Sequence, residues 1–127
     1  MSYTFSKITN KEFDEAVLKT TEELKKEGFG ILTEIDIKET LKNKLDVDFR
    51  KYKILGACNP PFAHRALLAE PEIGSMLPCN VVVQETDNGV MISAVDPVAS
   101  MMAVKNDDLG ELAAEVSSKL KKVIESI

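Results

Sequence analysis

Hydrophobic positions recur along the chain with two periods, one near two and one near 3.6, and the changes of period mark its elements. Residues 3–8 alternate as a strand with one covered face does. Thr9, Asn10, Lys11 and Glu12 match a capping box, which predicts a helix with Thr9 as N-cap and Glu12 reaching back to it. Phe13, Ala16, Val17 and Leu24 fall on one side of that helix, with Thr20 or Thr21 bridging the stripe. Gly28 stands where a helix closes in the left-handed conformation. Residues 30–37 predict a second strand, with Ile31, Thr33, Ile35 and Ile37 on one face and Leu32, Glu34 and Asp36 on the other. A shorter helix over 38–45 carries Leu41 and Leu45 one turn apart.

Residues 52–58 form a third predicted strand, ended by Pro60 and Pro61. A helix over 62–68 follows, with Asn59 as its cap and Pro60 at the start. Pro71 and Gly74 mark a loop. Residues 79–85 and 90–95 are strands joined through Asp87, Asn88 and Gly89, a hairpin signal. Asp96 before Pro97 predicts a short capped turn through Met101 and Met102. The last element is the clearest. Leu109, Leu112, Ala113, Val116, Leu120, Val123, Ile124 and Ile127 form one helical stripe, which Asp107 or Asp108 opens. Hairpins mixed with helices predict a single α+β domain over 1–127, with helices packed on one face of a largely antiparallel sheet.

Composition narrows the function classes. An apolar share of 44% in 127 residues supports a core without disulfide staples. Sixteen basic against twenty-one acidic residues give a net charge of −5, which argues against nucleic acid as a partner. No run approaches the ~20 apolar residues of a membrane span. The first residues show no charged lead followed by an apolar run, so a cytoplasmic location is expected, with both cysteines as thiols.

The stretch from Cys58 to Cys79 gathers the candidate chemistry. Strand three ends on one cysteine and strand four begins on the other. If those strands are antiparallel neighbours, both thiols lie at one end of the sheet and the residues between them form a lid. The lid holds His64, the only histidine, with Phe62 and Arg65. Cys58 precedes a helix N-terminus, where the dipole lowers a thiol pKa or holds an anion. Cys58, Asn59, His64 and Cys79 are therefore the ligand-binding candidates. A plainer reading stands beside each. Free cysteine often packs as a small hydrophobe, and that suits at least one of the pair. A lone histidine on a short helix is commonly a surface residue. Close metal-ligand spacing is missing, so no metal is predicted, and no cofactor is indicated. Phosphate-loop, dinucleotide and nucleophile-elbow motifs are absent. Glu34, Asp36 and Glu39 suit an exposed face, Asp96 suits a helix cap, and Met76, Met91, Met101 and Met102 suit ordinary core.

Several stretches together resemble a known family. Tyr52-x-Ile54-Leu55-Gly56-Ala57-Cys58-Asn59-Pro60 is one, Ala63-x-x-Ala66-Leu67 the next, and Pro71-x-Ile73-Gly74-x-x-Leu77-Pro78-Cys79-Asn80-Val81 the third. With Gly28-Phe29, the run 33–36 and Asp96-Pro97, they resemble the domain of unknown function 302 family over the whole chain. The resemblance implies a curved antiparallel sheet with two long helices, similar to one copy of the TATA-binding-protein-like fold, and a homodimer. It implies no activity and no catalytic residues. Its pattern concentrates on Gly56, Cys58, Asn59, Pro60, Gly74, Pro78 and Cys79. The expectation is a small ligand-binding or sensing domain with its pocket between sheet and lid, taking a small molecule. The alternative is a thiol-dependent or redox enzyme using Cys58 or Cys79 with His64 as base. A purely structural or interaction module is the third class.

Overall fold

Strand β1 (Thr4–Thr9) leads into helix α1 (Phe13–Lys26), then β2 (Gly30–Asp36), α2 (Ile37–Leu45) and β3 (Tyr52–Cys58). The chain continues through α3 (Pro60–Ala69), a 3-10 helix (Pro71–Met76), the hairpin β4 (Cys79–Thr86) and β5 (Gly89–Val95), a single turn α4 (Pro97–Ser100) and the long α5 (Asp108–Glu125). The computed structural model describes residues 2–127. The strands form one open sheet in the order β1-β5-β4-β3-β2, and every neighbouring pair is antiparallel. The architecture is the α+β class that the mixed periods predict.

Helices α1 and α5 cover one face of this sheet. Register places Phe5, Ala94, Val81 and Leu55 in one row across four strands. These residues, with Ala57, Val83 and Ile92, meet Phe13, Ala16 and Leu24 of α1 and Val116, Leu120, Val123 and Ile124 of α5. Each large aliphatic side chain buried there contributes about 1.5–3 kcal/mol. The opposite row, Ser6, Ser93, Val82, Ile54 and Ile35, remains half-buried or exposed. Helix α2 packs against β2 and β3 without burying any of its own residues.

Two local expectations are corrected. Thr9 does not cap α1: it is the last residue of β1, paired with Val90, so the sheet holds its backbone. The N-cap is Glu12, which makes no side-chain capping bond, and the Thr9 hydroxyl accepts from the Lys11 N–H instead. In β2 the face assignment changes midway. A bulge between Ile31 and Thr33 leaves Leu32 as the extra residue. Ile31 pairs with Ala57 and packs on the helix-covered core, whereas Thr33 and Ile35 are exposed.

The β4–β5 turn is tighter than the sequence suggests. Thr86 pairs with Gly89, so the loop is Asp87-Asn88 alone. Gly89 has φ +131°, and a Cβ there would sit 2.7 Å from the Thr9 carbonyl oxygen of β1. Only glycine permits both.

Candidate functional site: a pocket under the lid

Pairing of β3 with β4 sets Ala57 opposite Cys79 and Gly56 opposite Asn80, so Cys58 and Cys79 lie at the same end of the sheet. Helix α3 and the 3-10 helix connect them as a lid. Gly56 lets the layers close at this end: a Cβ there would collide with Thr33 Oγ1 and stand 2.8 Å from Pro78 Cγ. Pro78 follows a cis peptide bond and leads straight into Cys79.

Between lid, sheet end and α5 lies a cavity of about 320 Å3. Phe62, Ala63, Ala66 and Leu67 face it from α3, the i, i+1, i+4, i+5 positions of one helical side. The first half of α5 supplies Leu109, Leu112, Ala113 and Val116. Ala57, Cys58 and Cys79 close it from the sheet, and Phe29, Leu32 and Met101 are also on the wall. Beneath the lid Ala66, Ile73, Leu109 and Leu112 form a second small core of their own.

Three of the four candidate residues meet on this wall. Cys58 is half-buried and Cys79 buried, both as free thiols. Burial pushes the Cys79 thiol up to about 11, and the neighbouring Cys58 adds to the effect. Asn59 is 8% exposed. Its backbone carbonyl accepts the Ala63 N–H at 2.9 Å as α3 begins. Its side chain does not cap α3 as expected: Nδ2 donates to the Glu27 carbonyl at 3.2 Å. That bond ties the lid to the end of α1, above Gly28, whose φ is +88° and where a Cβ would meet Asn59 Nδ2 at 3.1 Å. His64 is not part of this group. It is exposed, on the side of α3 turned from the cavity.

Asn106 is a residue the sequence reading missed. Its Nδ2 donates to the Ala69 carbonyl at 2.8 Å and to Glu70 Oε1 at 3.3 Å, and its Oδ1 accepts the Asp108 N–H at 3.0 Å. One amide thus fastens the end of the lid helix to the start of α5. It also takes the capping role expected of Asp107 or Asp108; Asp107 makes no capping bond. An asparagine just before an apolar periodic run is itself a start signal, here hidden by the two aspartates after it. Asp96 does cap α4, accepting the Val98 N–H at 3.0 Å, and the same Oδ1 accepts the Ser117 hydroxyl at 2.9 Å.

A larger open groove, about 890 Å3, lies at the other end of the sheet among Lys11, Glu12, Arg50, Lys51, Glu85 and Asp87. Its polar groups already serve one another: Arg50 donates to Gln84 and the Lys51 N–H to Glu85. It is wide, polar and mixed in charge, so the smaller, apolar cavity is the better ligand site. Among the described residues no helix is long and apolar enough to cross a membrane. No group of three or more His, Cys, Asp or Glu residues among them is placed to hold a metal ion.

None of the curated proteins matches the chain. Among solved structures, an uncharacterized conserved protein DUF302 from Bacillus stearothermophilus superposes with a TM-score of 0.92 at 28% identity. The match covers 99% of this chain and 98% of that one, so the two share the whole fold including the lid. The family model described as Domain of unknown function DUF302 matches residues 5–127. Covering nearly the full length, lid and both cysteines included, this match establishes that the chain belongs to the DUF302 family.

Proposed function

We propose that this protein is a small-molecule binding or sensing domain whose ligand occupies the cavity between the lid and the sheet end. The observation that carries the reading is the cavity itself. About 320 Å3 stands open between the lid helix, the sheet end and α5, lined almost wholly by apolar side chains from both apolar clusters. That volume is within the range of ligand pockets. The lid helix α3 is held at both ends by side-chain amides, Asn59 at its start and Asn106 at its finish.

The thiol-enzyme reading has less support. His64 is exposed away from the cavity, so no imidazole lines the wall beside either cysteine. Cys79 is held protonated by its burial, the opposite of an activated nucleophile. A homodimer and a cytoplasmic setting belong to the proposal. The sheet face turned from α1 and α5, with Ile8 and Ile35 exposed, supports the first, and two free thiols suit a reducing compartment.

The test is a melting-temperature screen with a chemically mixed small-molecule panel. A ligand at 100 times its Kd stabilises by about 2.7 kcal/mol. For a domain of this size that raises Tm by about 10 °C. The rise should vanish in Ala113→Phe, whose ring would fill the cavity, and in the milder Ala113→Leu. A panel that shifts neither wild type nor variants would sink the reading. Light scattering on the eluted protein checks the dimer, and a strict monomer would refute it.

A further inference from the structure

We infer that the occupant of this cavity is an uncharged, mainly hydrocarbon molecule of about a dozen non-hydrogen atoms with at most one polar group, of the type of a medium-chain alcohol. The inference rests on the proposed binding function and concerns only which chemistry the site accepts.

Size sets the first limit. About 320 Å3 is roughly ten water volumes at ~30 Å3 each. Wall chemistry sets the second. The lining is Leu, Ala, Phe, Val, Pro, Met and Gly apart from two thiols and one amide, and no charged side chain contributes to it. Cys79, kept protonated by burial, offers no charge either. An ion placed there would lose its hydration without gaining a counter-charge.

Asn59 limits the polar group to one. It is the only side chain on the wall with strong hydrogen-bonding atoms. One of its two Nδ2 hydrogens is committed to the Glu27 carbonyl, and its Oδ1 accepts no bond from the described residues. One acceptor and one N–H remain on a single amide, suited to one hydroxyl-sized polar group of a ligand.

The mouth does not favour an anionic head group. The exposed wall residues, which mark the opening, include Leu32 and Leu67, both apolar. The nearest cation on the lid, Arg65, has its guanidinium 5.7 Å from the Phe62 ring. It opens onto a separate depression that it shares with Asp107, Asp108 and Glu111, three carboxylates to one guanidinium. An anionic head would meet net repulsion there, in a chain already at −5.

The experiment is competition for a neutral apolar fluorophore, phenylnaphthylamine, bound to the full chain. Decanol, decanoate and decylammonium share a chain length and differ in head charge at about pH 8. Decanol is expected to displace the probe at about tenfold lower concentration than either ion. Ala66→Leu and Ala63→Leu, each narrowing the cavity from the lid, should weaken both probe and decanol about tenfold with an unchanged circular dichroism spectrum. Leu68→Ser, exposed on the lid and off the wall, should change neither. Decanoate or decylammonium competing as well as decanol would overturn the inference and leave the binding function standing. A probe signal insensitive to both alanine substitutions, or abolished by Leu68→Ser, would overturn it as surface adsorption, with the panel screen still deciding the broader function.

Discussion

Gly56→Ala should destabilise the protein, although glycine is ordinarily a poor strand residue. The two opposing effects can be weighed. Removing glycine's backbone freedom from the unfolded chain stabilises by about 0.4–1 kcal/mol. Against this, the new methyl would collide with Thr33 Oγ1 and lie 2.8 Å from Pro78 Cγ. Thr33 can turn, but its branched Cβ presents another heavy atom to the same space. The Pro78 ring cannot turn at all. Overpacking of this kind costs about 1–3 kcal/mol, so the net loss is about 2 kcal/mol near the upper end. Unfolding entropy of about 2.1 cal/mol/K per residue converts that to a fall in Tm of about 7 °C. Calorimetry on Gly56→Ala, Thr33→Ala and the double variant reads the coupling directly. Thr33 is exposed, so Thr33→Ala alone should cost little, about 0.5 kcal/mol. The double variant should recover about 1 kcal/mol, the Pro78 contact remaining. A Gly56→Ala protein melting at or above wild type, or strictly additive variants, would refute this account of how the sheet end closes over the cysteines.

Two further outcomes follow from the site. Asn106→Ala removes a helix cap and both bonds to the lid, so stability should fall by about 1–2 kcal/mol. Amide exchange in α3 should accelerate more than in α1, and uniform acceleration would contradict a local clamp. Cys79 sets a pH dependence. Its thiol stays protonated in the folded chain up to about 11, against an ordinary 9.0 once unfolded. The folded state therefore holds a proton that the unfolded state gives up. The stabilisation is complete below pH 9 and declines between 9 and 11, at about 1.4 kcal/mol per unit. Tm measured across that interval should drop more steeply in wild type than in Cys79→Ala; parallel curves would show the thiol to be unshifted.

Much of the fold was legible because amphipathic spacing and burial share one cause. The stripe from Leu109 to Ile124 is buried throughout, and β3 to β5 begin and end within a residue or so of their predicted limits. Errors arose where a residue had two physically sound uses. Thr9 satisfies a capping box, but pairing with Val90 took its backbone first. Strict alternation put Ile31 with Thr33, and one bulge residue reversed that. Asn59 and Asn106 could each cap a helix, and only the distant carbonyls of Glu27 and Ala69 decided what their amides do. His64 looked like chemistry because it is the sole histidine, yet helical phase turns it outward from the positions, 62, 63, 66 and 67, that meet the cavity.

The local sequence by itself determined the elements and the antiparallel β4–β5 hairpin, whereas the meeting of Cys58 with Cys79 at one strand end rested on the β3–β4 pairing that only the tertiary structure decided. The elements and the hairpin follow from periodicity and from turn residues within a few positions. The local sequence could not determine that a cavity lies beside the cysteines. The same leucines of α5 read as core over their whole length, yet the first turns line empty space and the later turns fill it. A stripe records only that a face avoids water. Whether that face meets packed side chains or a void depends on where the lid is fastened, and the amides of Asn59 and Asn106 fasten it across 32 and 37 residues of chain.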